Sequence, residues 1–376
     1  MKVVLIGTVS SSIFGFRKLL LQSLVKAGHE VHILTTDLTP ELKQRAKAEL
    51  SVQAEKYTIA RTGMNPIVDL KNTWRLYRRL KALKPDCVFC YFSKPVIWGA
   101  TAARFAGIKH RYGMLEGLGY YFTDDPDGNS LKKKLIRNAQ IALFYLTLPL
   151  LKGLVVLNPD DRNDLVKKYR IRVRNVMVLG GIGLDLDEYA YSAPHNEKIC
   201  FIFVGRLLAE KGINEFLKAA EIIKERYSDA EFVILGKPDP GNPGSVDATY
   251  LNELVDKAVV IYPGAVSNVA EWLKNSSVFV LPSYYREGVP RSTQEAMAIG
   301  RPIITTDVPG CRETIRDGDN GFKVPAHDPK AVADAMERFI CTPDLILKMG
   351  LRSRELAVQH FDAERVNQRL LGFLEL

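Results

Sequence analysis

The sequence contains few cysteines, no long apolar run and no stretch of low complexity. Its five cysteines among 376 residues lie mostly in apolar segments, which favours a reduced protein over a disulfide-stabilised one. No run of about 18 apolar residues is present, so no transmembrane helix is predicted. The first residues, MKVVLIG, predict a strand without a signal-peptide cleavage site after it. We therefore expect a cytoplasmic protein.

Two common phosphate-binding motifs are also missing. The first turn, IGTVSSSIFGFRK, lacks the G-x-G-x-x-G of dinucleotide-binding proteins, and no Walker A sequence occurs. These absences disfavour a dehydrogenase and a P-loop enzyme. The turn is nevertheless long, small and polar, and Gly15 near the helix start is a candidate for substrate binding by backbone N–H groups. A flexible surface loop explains this stretch equally well.

The positive charge is concentrated in the first half of the chain. Residues 1–190 contain 30 Lys and Arg against 17 Asp and Glu, whereas residues 191–376 contain 22 against 26. A basic half beside a mildly acidic half indicates that one half faces an anionic surface. Nucleic acid and an anionic membrane are both compatible with this pattern.

Short apolar runs alternate with helical patterns in two series. The predicted strands cover residues 2–7, 30–36, 86–92, 153–158 and 175–181, and then 198–206, 231–236, 258–264, 277–283 and 301–307. Near-continuous apolar strands are typical of parallel sheets covered on both faces, so we expect two doubly wound α/β domains. The turn-rich stretch 181–197 is the predicted linker. Ligands of such sheets bind beyond the carboxyl ends of the strands, here in the cleft between the domains.

Two cations follow the first strand of the second series. In FVGRLLAEKG, Arg206 comes directly after the strand, and Lys211 precedes the next helix. A planar guanidinium and a compact ammonium at the end of a strand suit a diphosphate. Solvated loop cations are the commoner alternative, but the flanking glycines and the strand-end position favour binding.

A strand–loop–helix segment, SVFVLPSYYREGVPRSTQEAMAIG, contains two glutamates eight positions apart. Ser292 and Glu295 fit the S-x-x-E capping box, which predicts a structural role for Glu295. Glu287 has no such role and is a candidate acceptor of sugar hydroxyl hydrogen bonds. Because the backbone of 288–291 lies at the positive end of the helix, a phosphate would also be stabilised there.

These motifs together resemble retaining glycosyltransferase family 4. Glu287 to Glu295 matches the family's E-x7-E signature, GRLLAEKG matches its Arg and Lys pair, and GGIGLDLDEY is similar to its hinge segment, with Tyr189 at the aromatic position. The segments GMLEGLGYYFTD and YREGVPRSTQEAMAIGRPIITTDVPGCRETI are most similar to bacterial members that extend polyprenyl-diphosphate-linked saccharides.

The resemblance implies the GT-B fold, two Rossmann-like domains facing across a cleft. We expect domains at 1–185 and 186–359, with a C-terminal helix at about 360–376 packing back on the first domain. It further implies a UDP-sugar donor held by the second domain. The implied contacts are Glu287 with the sugar, Glu295 with the ribose, Arg206 and Lys211 with the diphosphate, and Gly288, Val289 and Pro290 as the backbone surface beneath the donor.

The resemblance also implies transfer with retention, described in the family as front-face attack, without an obligatory metal or other cofactor. Cys87 and Cys90 form C-x-x-C inside an apolar strand, and the acidic stretches 124–127 and 185–187 suit a loop and a hinge better than metal sites. The histidine that the family often places near the reacting centre has no clear counterpart. Glu116, set among glycines, is the candidate for orienting or deprotonating the acceptor hydroxyl, with an exposed loop carboxylate as the alternative.

Two basic segments predict contact of the first domain with a membrane. Residues 131–151 begin with three lysines and continue with an apolar stretch too short to span a bilayer, and residues 72–84 add five more cations. A buried helix is the alternative for 131–151. A polyprenyl-diphosphate-linked saccharide acceptor would require this placement, on the inner face of the plasma membrane. We expect no nucleic-acid partner, because the basic segments are not interleaved with aromatic platforms.

The predicted activity is therefore transfer of a hexose or N-acetylhexosamine, with N-acetylgalactosamine the first choice, in glycan, capsule or O-antigen assembly. Two alternatives remain open at this point. A nucleotide-sugar epimerase of the same fold would turn over the donor alone. A basic module binding anionic lipid or nucleic acid would leave the strand-end motifs unused.

Overall fold

The chain folds into two compact units. In the computed structural model, the described residues are 1–59, 66–125, 128–194, 198–239, 242 and 244–376. Unit 1 comprises Met1–Gly183 together with Ala363–Leu376, and unit 2 comprises Leu184–Asp362. Residues 126–127 of the acidic stretch and 195–197 of the predicted linker lie outside the described residues.

Unit 1 is built on a seven-stranded sheet. Its strands are β1 (Lys2–Ile6), β2 (Glu30–Thr35), β3 (Gln53–Lys56), β4 (Cys87–Tyr91), β5 (His110–Leu115), β6 (Gly153–Val156) and β7 (Val176–Val178). They run parallel in the order β3-β2-β1-β4-β5-β6-β7, so the order reverses between β1 and β4. Every residue of β4 is buried, as expected for a central strand covered on both faces.

Helices connect these strands. They are α1 (Ser11–Phe14), α2 (Lys18–Lys26), α3 (Pro40–Leu50), α4 (Pro66–Leu83), α5 (Ser93–Phe105), α6 (Leu131–Thr147) and α7 (Pro159–Asn163). Helix α2 contacts α3, whereas α4, α5 and α6 pack side by side in succession. Because right-handed crossovers place helices on opposite faces when the strand order reverses, these groups form separate layers.

Unit 2 repeats this plan with a six-stranded parallel sheet. Its strands are β8 (Cys200–Val204), β9 (Glu231–Leu235), β10 (Ile261–Gly264), β11 (Val278–Leu281), β12 (Ile303–Thr306) and β13 (Gly321–Val324). Its helices are α8 (Ile213–Lys224), α9 (Ala248–Asp256), α10 (Val269–Lys274), α11 (Arg291–Ile299), α12 (Pro329–Cys341) and α13 (Asp344–His360). The strand order is β10-β9-β8-β11-β12-β13, so the reversal lies between β8 and β11.

The last helix, α14 (Ala363–Leu374), belongs to unit 1 and contacts α2. Its buried face includes Val366, Leu370 and Leu374. The side-chain amide of Asn367 also donates a hydrogen bond to the Ser23 hydroxyl, at 3.4 Å. This apolar stripe at helical spacing holds the end of the chain on the layer formed by α2 and α3.

The predicted class, two doubly wound parallel sheets, is confirmed. Strands β3, β5 and β13 were not predicted. Strand β3, with the sequence QAEK, is a short polar strand at the sheet edge, and β13 is a four-residue strand that begins at a glycine. Neither carries the apolar run on which the sequence-based prediction relied. Strand β5, with the sequence HRYGML, was absent from the predicted strands although four of its six residues are buried.

The two segments predicted to contact a membrane are helices α4 and α6. Among the described residues, no helix is long and apolar enough to cross a bilayer. Within α6, Lys133 is buried, contacts Asp125 at 2.6 Å and lies 4.4 Å from the centre of the Tyr120 ring. The expectation that Lys133 belongs to a lipid-facing basic cluster is therefore wrong, because its ammonium is used inside unit 1.

Candidate active site

The carboxyl ends of β8 and β11 carry the predicted donor-binding residues. The strand order of unit 2 reverses between these neighbours, and ligands of open α/β sheets bind at such a reversal. Arg206 and the short 3-10 turn Ala209–Lys211 follow β8, while Glu287 lies in the loop that follows β11. The topology thus brings together residues that are some eighty positions apart in the sequence.

Lys211 and Glu287 form an ion pair at this edge. The Lys211 ammonium contacts the Glu287 Oε1 atom, and the two side chains are only 15% and 11% exposed. The Ser283 hydroxyl oxygen lies 3.4 Å from the same carboxylate oxygen. Since a buried charge without a partner is costly, the pair explains how both groups are retained at low exposure.

Backbone hydrogen bonds hold the two loops together. The Ser283 hydroxyl and the N–H groups of Tyr284 and Tyr285 all donate to the carbonyl of Glu210, at 2.9–3.0 Å. Gly212 adopts φ +80°, and a Cβ there would lie 2.2 Å from the carbonyl oxygen of Pro282. This close approach requires glycine, which fixes the Lys211 loop against the start of the Glu287 loop.

Arg206 is the more accessible of the two predicted cations. Its side chain is 47% exposed, and its guanidinium lies 3.9 Å from Asp239, a contact too exposed and too long to neutralise it strongly. The Tyr285 ring centre is 6.0 Å from the Arg206 guanidinium and 5.5 Å from the Lys211 ammonium. One aromatic ring therefore lies beside both cations.

Glu295 lies within α11, but the predicted capping box is wrong. The helix begins at Arg291, and Pro290 at its N-cap makes no side-chain capping bond, so Ser292 lies inside the first turn. The Glu295 carboxylate instead accepts hydrogen bonds from Arg291 Nε at 2.7 Å and from the Tyr189 hydroxyl at 3.0 Å. Burial raises the pKa of Glu295, and Arg291 opposes that effect.

The segment between the two glutamates is a shaped backbone surface. Val289 is buried, and its carbonyl accepts a hydrogen bond from the Gln294 side chain at 3.1 Å. Gly310, at φ +86°, lies so close that a Cβ would be 2.7 Å from the carbonyl oxygens of Glu287 and Gly288. A ligand would therefore meet this turn mainly through backbone, next to the N–H groups of the first turn of α11.

The remaining predicted residues, Gly15 and Glu116, lie in unit 1. Gly15 follows α1 in the connection after β1, and its N–H donates to the Ser11 carbonyl at 3.0 Å. Glu116 directly follows β5, and its carboxylate contacts the guanidinium of Arg17, which is 2% exposed. Arg17 also lies 4.5 Å from the centre of the Tyr91 ring. Glu116 is thus held by a buried cation and is not the exposed loop carboxylate considered as its alternative.

Arg17 and Tyr285 were not predicted from the sequence as residues of this region. Arg17 lies far from its partner Glu116 in the sequence, and Tyr285 lies in the quoted loop without a motif of its own. Tyr189 was noted only for its place in the hinge, whereas its hydroxyl reaches Glu295. The sequence signal available for these residues was a polar or aromatic side chain close to the predicted end of a strand. The residues that they contact follow only from the tertiary structure.

Metal and thiol chemistry have no evident site in the described part of the chain. No group of three or more His, Cys, Asp or Glu is placed there to hold a metal ion. Cys87 and Cys90 are buried in β4, and burial raises the pKa of Cys87 to about 12. A high pKa disfavours the thiolate that metal binding or redox chemistry requires.

Comparison with known families covers both units. A model described as Glycosyltransferase Family 4 matches residues 18–185, and a model described as Glycosyl transferases group 1 matches residues 198–342. The chain is a member of the glycosyltransferases that these two models describe. The resemblance drawn from the E-x7-E segment and its partner motifs is thus confirmed at the level of the family.

Curated relatives of this glycosyltransferase align along most of its length. The chain is 27% identical to the N,N'-diacetylbacillosaminyl-diphospho-undecaprenol alpha-1,3-N-acetylgalactosaminyltransferase of Campylobacter jejuni, over 99% of this chain and 97% of that protein. It is 28% identical to the UDP-Gal:alpha-D-GlcNAc-diphosphoundecaprenol alpha-1,3-galactosyltransferase of Escherichia coli, over 79% of this chain and 76% of that protein.

Solved structures share the fold of this glycosyltransferase. Sucrose-phosphate synthase from Thermosynechococcus elongatus superposes with a TM-score of 0.78 at 17% identity, covering 100% of this chain and 98% of that one. HepE from Anabaena, solved with UDP and glucose, gives a TM-score of 0.76 at 15% identity, covering 100% and 99% of the two chains. The predicted GT-B class, with its two Rossmann-like domains, is confirmed by these likenesses.

Proposed function

We propose that this glycosyltransferase moves a hexose or N-acetylhexosamine from a UDP-sugar to a sugar carried on undecaprenyl diphosphate, with retention at the anomeric carbon. The observation that carries the proposal is the Lys211–Glu287 pair at the strand-order reversal of unit 2, in a chain that aligns end to end with an undecaprenol-linked N-acetylgalactosaminyltransferase. That relative makes N-acetylgalactosamine the first donor sugar to test.

In this proposal the charged groups of unit 2 bind different parts of the donor. Arg206 and Lys211 bind the diphosphate and stabilise the negative charge that UDP gains as it leaves, the role that a divalent ion has in other enzymes. The reaction then needs no metal or other cofactor. Lys211 contacts Glu287, so a donor phosphate bound there would compete with the Glu287 carboxylate for the ammonium.

The nucleotide and the sugar are supported by the segment around α11. Glu295 accepts hydrogen bonds from the ribose hydroxyls, and Tyr189 and Arg291 hold its carboxylate in position. Gly288, Val289 and Pro290 form a close-fitting surface beneath the donor, next to the backbone N–H groups of the first turn of α11. These assignments follow the family's motif and are consistent with the low exposure of both glutamates.

The acceptor side of the proposal uses unit 1. Gly15 and Glu116 follow the strands β1 and β5, and Arg17 fixes the Glu116 carboxylate for orienting or deprotonating the acceptor hydroxyl. An acceptor with an undecaprenyl chain resides in a membrane, so we place the protein peripherally on the inner face of the plasma membrane. The basic segments 72–84 and 131–151 would favour an anionic surface there.

A UDP-release screen over UDP-sugars, with and without a polyprenyl-diphosphate-linked saccharide, tests the proposal. We expect release that depends on the acceptor, and an α-linked product from an α-linked donor. Glu287→Gln and Lys211→Met should reduce turnover by a factor of about a hundred, the scale of losing one electrostatic contact in a transition state. Lys274→Met, an exposed cation of the same unit, is the control.

Three outcomes would contradict the proposal. Full activity in both site variants would remove the site assignment. Conversion of the donor to an isomeric nucleotide sugar without acceptor would favour an epimerase. A product of inverted configuration would refute retention.

A further inference from the structure

With the exception of Met1, the large hydrophobic side chains that the described part of unit 1 exposes lie in one of its helix layers. They are Ile67, Val68, Leu70 and Trp74 on α4, Phe105 on α5, Leu131, Leu135, Tyr145 and Leu146 on α6, and Val166 in the π-helical segment after α7. The opposite layer of α2, α3 and α14 exposes none among its described residues. Monomeric proteins rarely expose large contiguous apolar areas without a binding purpose.

Helix α4 carries a second apolar stripe that the core does not use. Its buried side includes Leu76 and Leu80. Ile67, Leu70 and Trp74 recur at helical spacing on the outward side and are 80%, 66% and 60% exposed. An amphipathic helix that only packs on a sheet needs one apolar face, so the outward stripe is available for another partner.

Phe105 at the end of α5 joins this stripe. Its side chain is 74% exposed, and with Ile67, Leu70 and Trp74 it lines a groove of about 700 Å³ between α4 and α5. We call these four residues the α4–α5 patch. Trp74 stacks on Tyr77 with ring centres 5.0 Å apart, which places a broad aromatic surface at the rim of the groove.

The charges around the patch have one sign. Helices α4, α5 and α6 contain eleven Lys and Arg against the single acid Asp69, which is buried and lies 3.7 Å from the Lys94 ammonium. Helices α2, α3 and α14 contain seven Lys and Arg against three Glu. Beside the patch, Lys71, Arg75 and Arg104 are exposed.

We propose that the α4–α5 patch inserts into the interfacial region of an anionic bilayer while the surrounding cations bind lipid phosphates. Apolar and aromatic residues inside a ring of Lys and Arg are the combination that binds such a surface through both burial and charge. The ring also explains why a bilayer is preferred to a second copy of this chain, because two such surfaces would repel each other. The inference extends the membrane association in the proposed function, but it names the inserting residues, which charge alone did not indicate.

The test is binding of the full chain to vesicles, compared between two matched double variants. Leu70→Gln/Trp74→Gln removes two outward apolar residues of α4, and Leu347→Gln/Leu351→Gln removes two exposed leucines of α13 in unit 2. With vesicles of phosphatidylglycerol and phosphatidylethanolamine, we expect the first variant to sediment about tenfold less and the second to bind as the wild type does. Binding should fall with added salt and be weak on phosphatidylcholine alone.

Insertion is read directly from tryptophan fluorescence. Trp74 is more exposed than Trp98 and Trp272, which are both intermediate. Doxyl-labelled lipid should quench the wild type, and Trp74→Phe should lose most of that quenching while still binding. Quenching that persists in Trp74→Phe would contradict insertion at this site.

Other results would overturn the inference. Equal binding by both double variants would do so, as would loss of binding confined to a Leu131→Gln/Leu135→Gln variant of α6. A protein that is dimeric without vesicles and becomes monomeric in Leu70→Gln/Trp74→Gln would assign the patch to self-association.

Transfer to a short-chain, water-soluble acceptor separates the inference from the proposed function. We expect Leu70→Gln/Trp74→Gln to keep that activity, because the patch belongs to unit 1 whereas the donor motifs belong to unit 2. If the wild type transfers no sugar yet binds vesicles through the patch, the proposed function fails and the inference stands.

Discussion

Replacing Lys211 with methionine should remove the ammonium that contacts the Glu287 carboxylate, whose side chain is only 11% exposed. Two unit charges about 4 Å apart interact by about 4 kcal/mol at an effective dielectric constant of about 20. Removing one partner of a buried pair costs about 3–5 kcal/mol, and this pair lies near the surface. We therefore expect Lys211→Met to destabilise unit 2 by about 3 kcal/mol.

The double variant Lys211→Met/Glu287→Gln should be less destabilised than the sum of its single variants. It removes both charges of the pair, and glutamine is close in shape to glutamate. Together with the single variants Lys211→Met and Glu287→Gln, it forms a double-mutant cycle. The coupling free energy from this cycle should be about 2 kcal/mol, in the range found for contacting charged residues. A methionine of similar length limits the loss of packing.

Urea denaturation can measure this cycle on unit 2 alone. Trp272 belongs to unit 2, whereas Trp74 and Trp98 belong to unit 1. In a Trp74→Phe/Trp98→Phe background, the fluorescence change therefore reports unfolding of unit 2.

The ion pair Lys274–Glu271 supplies the matched control cycle. Its atoms are 2.7 Å apart, but its side chains are 33% and 59% exposed. We expect a coupling of about 0.5 kcal/mol or less for this exposed pair. A Lys211–Glu287 coupling no larger than that would refute the inference that low exposure gives the pair its strength.

Three further predictions concern the same unit. Tyr189→Phe removes a hydrogen bond to the buried Glu295 carboxylate and should cost about 1–2 kcal/mol in thermal unfolding; no change would show that the bond is not formed in solution. Gly212→Ala should lower the free energy of unfolding by about 3 kcal/mol or more, and Gly264→Ala should lower it by about 1 kcal/mol. Both glycines have positive φ, but only Gly212 lacks room for a Cβ. Equal losses in the two variants would contradict the close packing at Gly212. Burial raises the pKa of the Glu215 carboxyl above 4.5. The folded state therefore keeps this proton to higher pH than the unfolded state does, and the free energy of unfolding falls as the pH rises from the unfolded-state pKa to the folded-state pKa. Glu215→Gln should abolish this fall, leaving the variant more stable than the wild type at about pH 7 and equal below about pH 4, as measured by denaturation across pH.

Much of the fold follows from local sequence pattern. The apolar runs at β1, β4, β8 and β11 are short and β-branched or aromatic, and helical patterns separate them, which leaves few arrangements other than parallel sheets. Strand β3 escaped prediction because QAEK has neither an apolar run nor alternation, and its neighbour β2 provides the pairing. Pairing of this kind depends on a partner remote in sequence.

The donor-site motifs were visible because each is contiguous in the chain. Arg206 and Lys211 share one loop, and Glu287 and Glu295 share one contiguous loop–helix segment, so spacing identified each set. The capping-box prediction failed because S-x-x-E fits a helix whose N-cap is Ser292, whereas the N-cap of α11 is Pro290. The same spacing therefore fitted two registers, and only the backbone decided between them.

The sequence by itself determined the class of fold, the family and the residues that flank the strand ends, because all three depend on short-range patterns. The tertiary structure decided which of those residues meet. It paired Lys211 with Glu287 and Glu116 with Arg17, and it turned Tyr189 towards Glu295. It also divided the basic half of the chain into cations used internally, such as Lys133, and cations that surround an exposed apolar patch. Charge and hydrophobicity are properties of residues, whereas exposure and partnership are fixed only when distant segments pack.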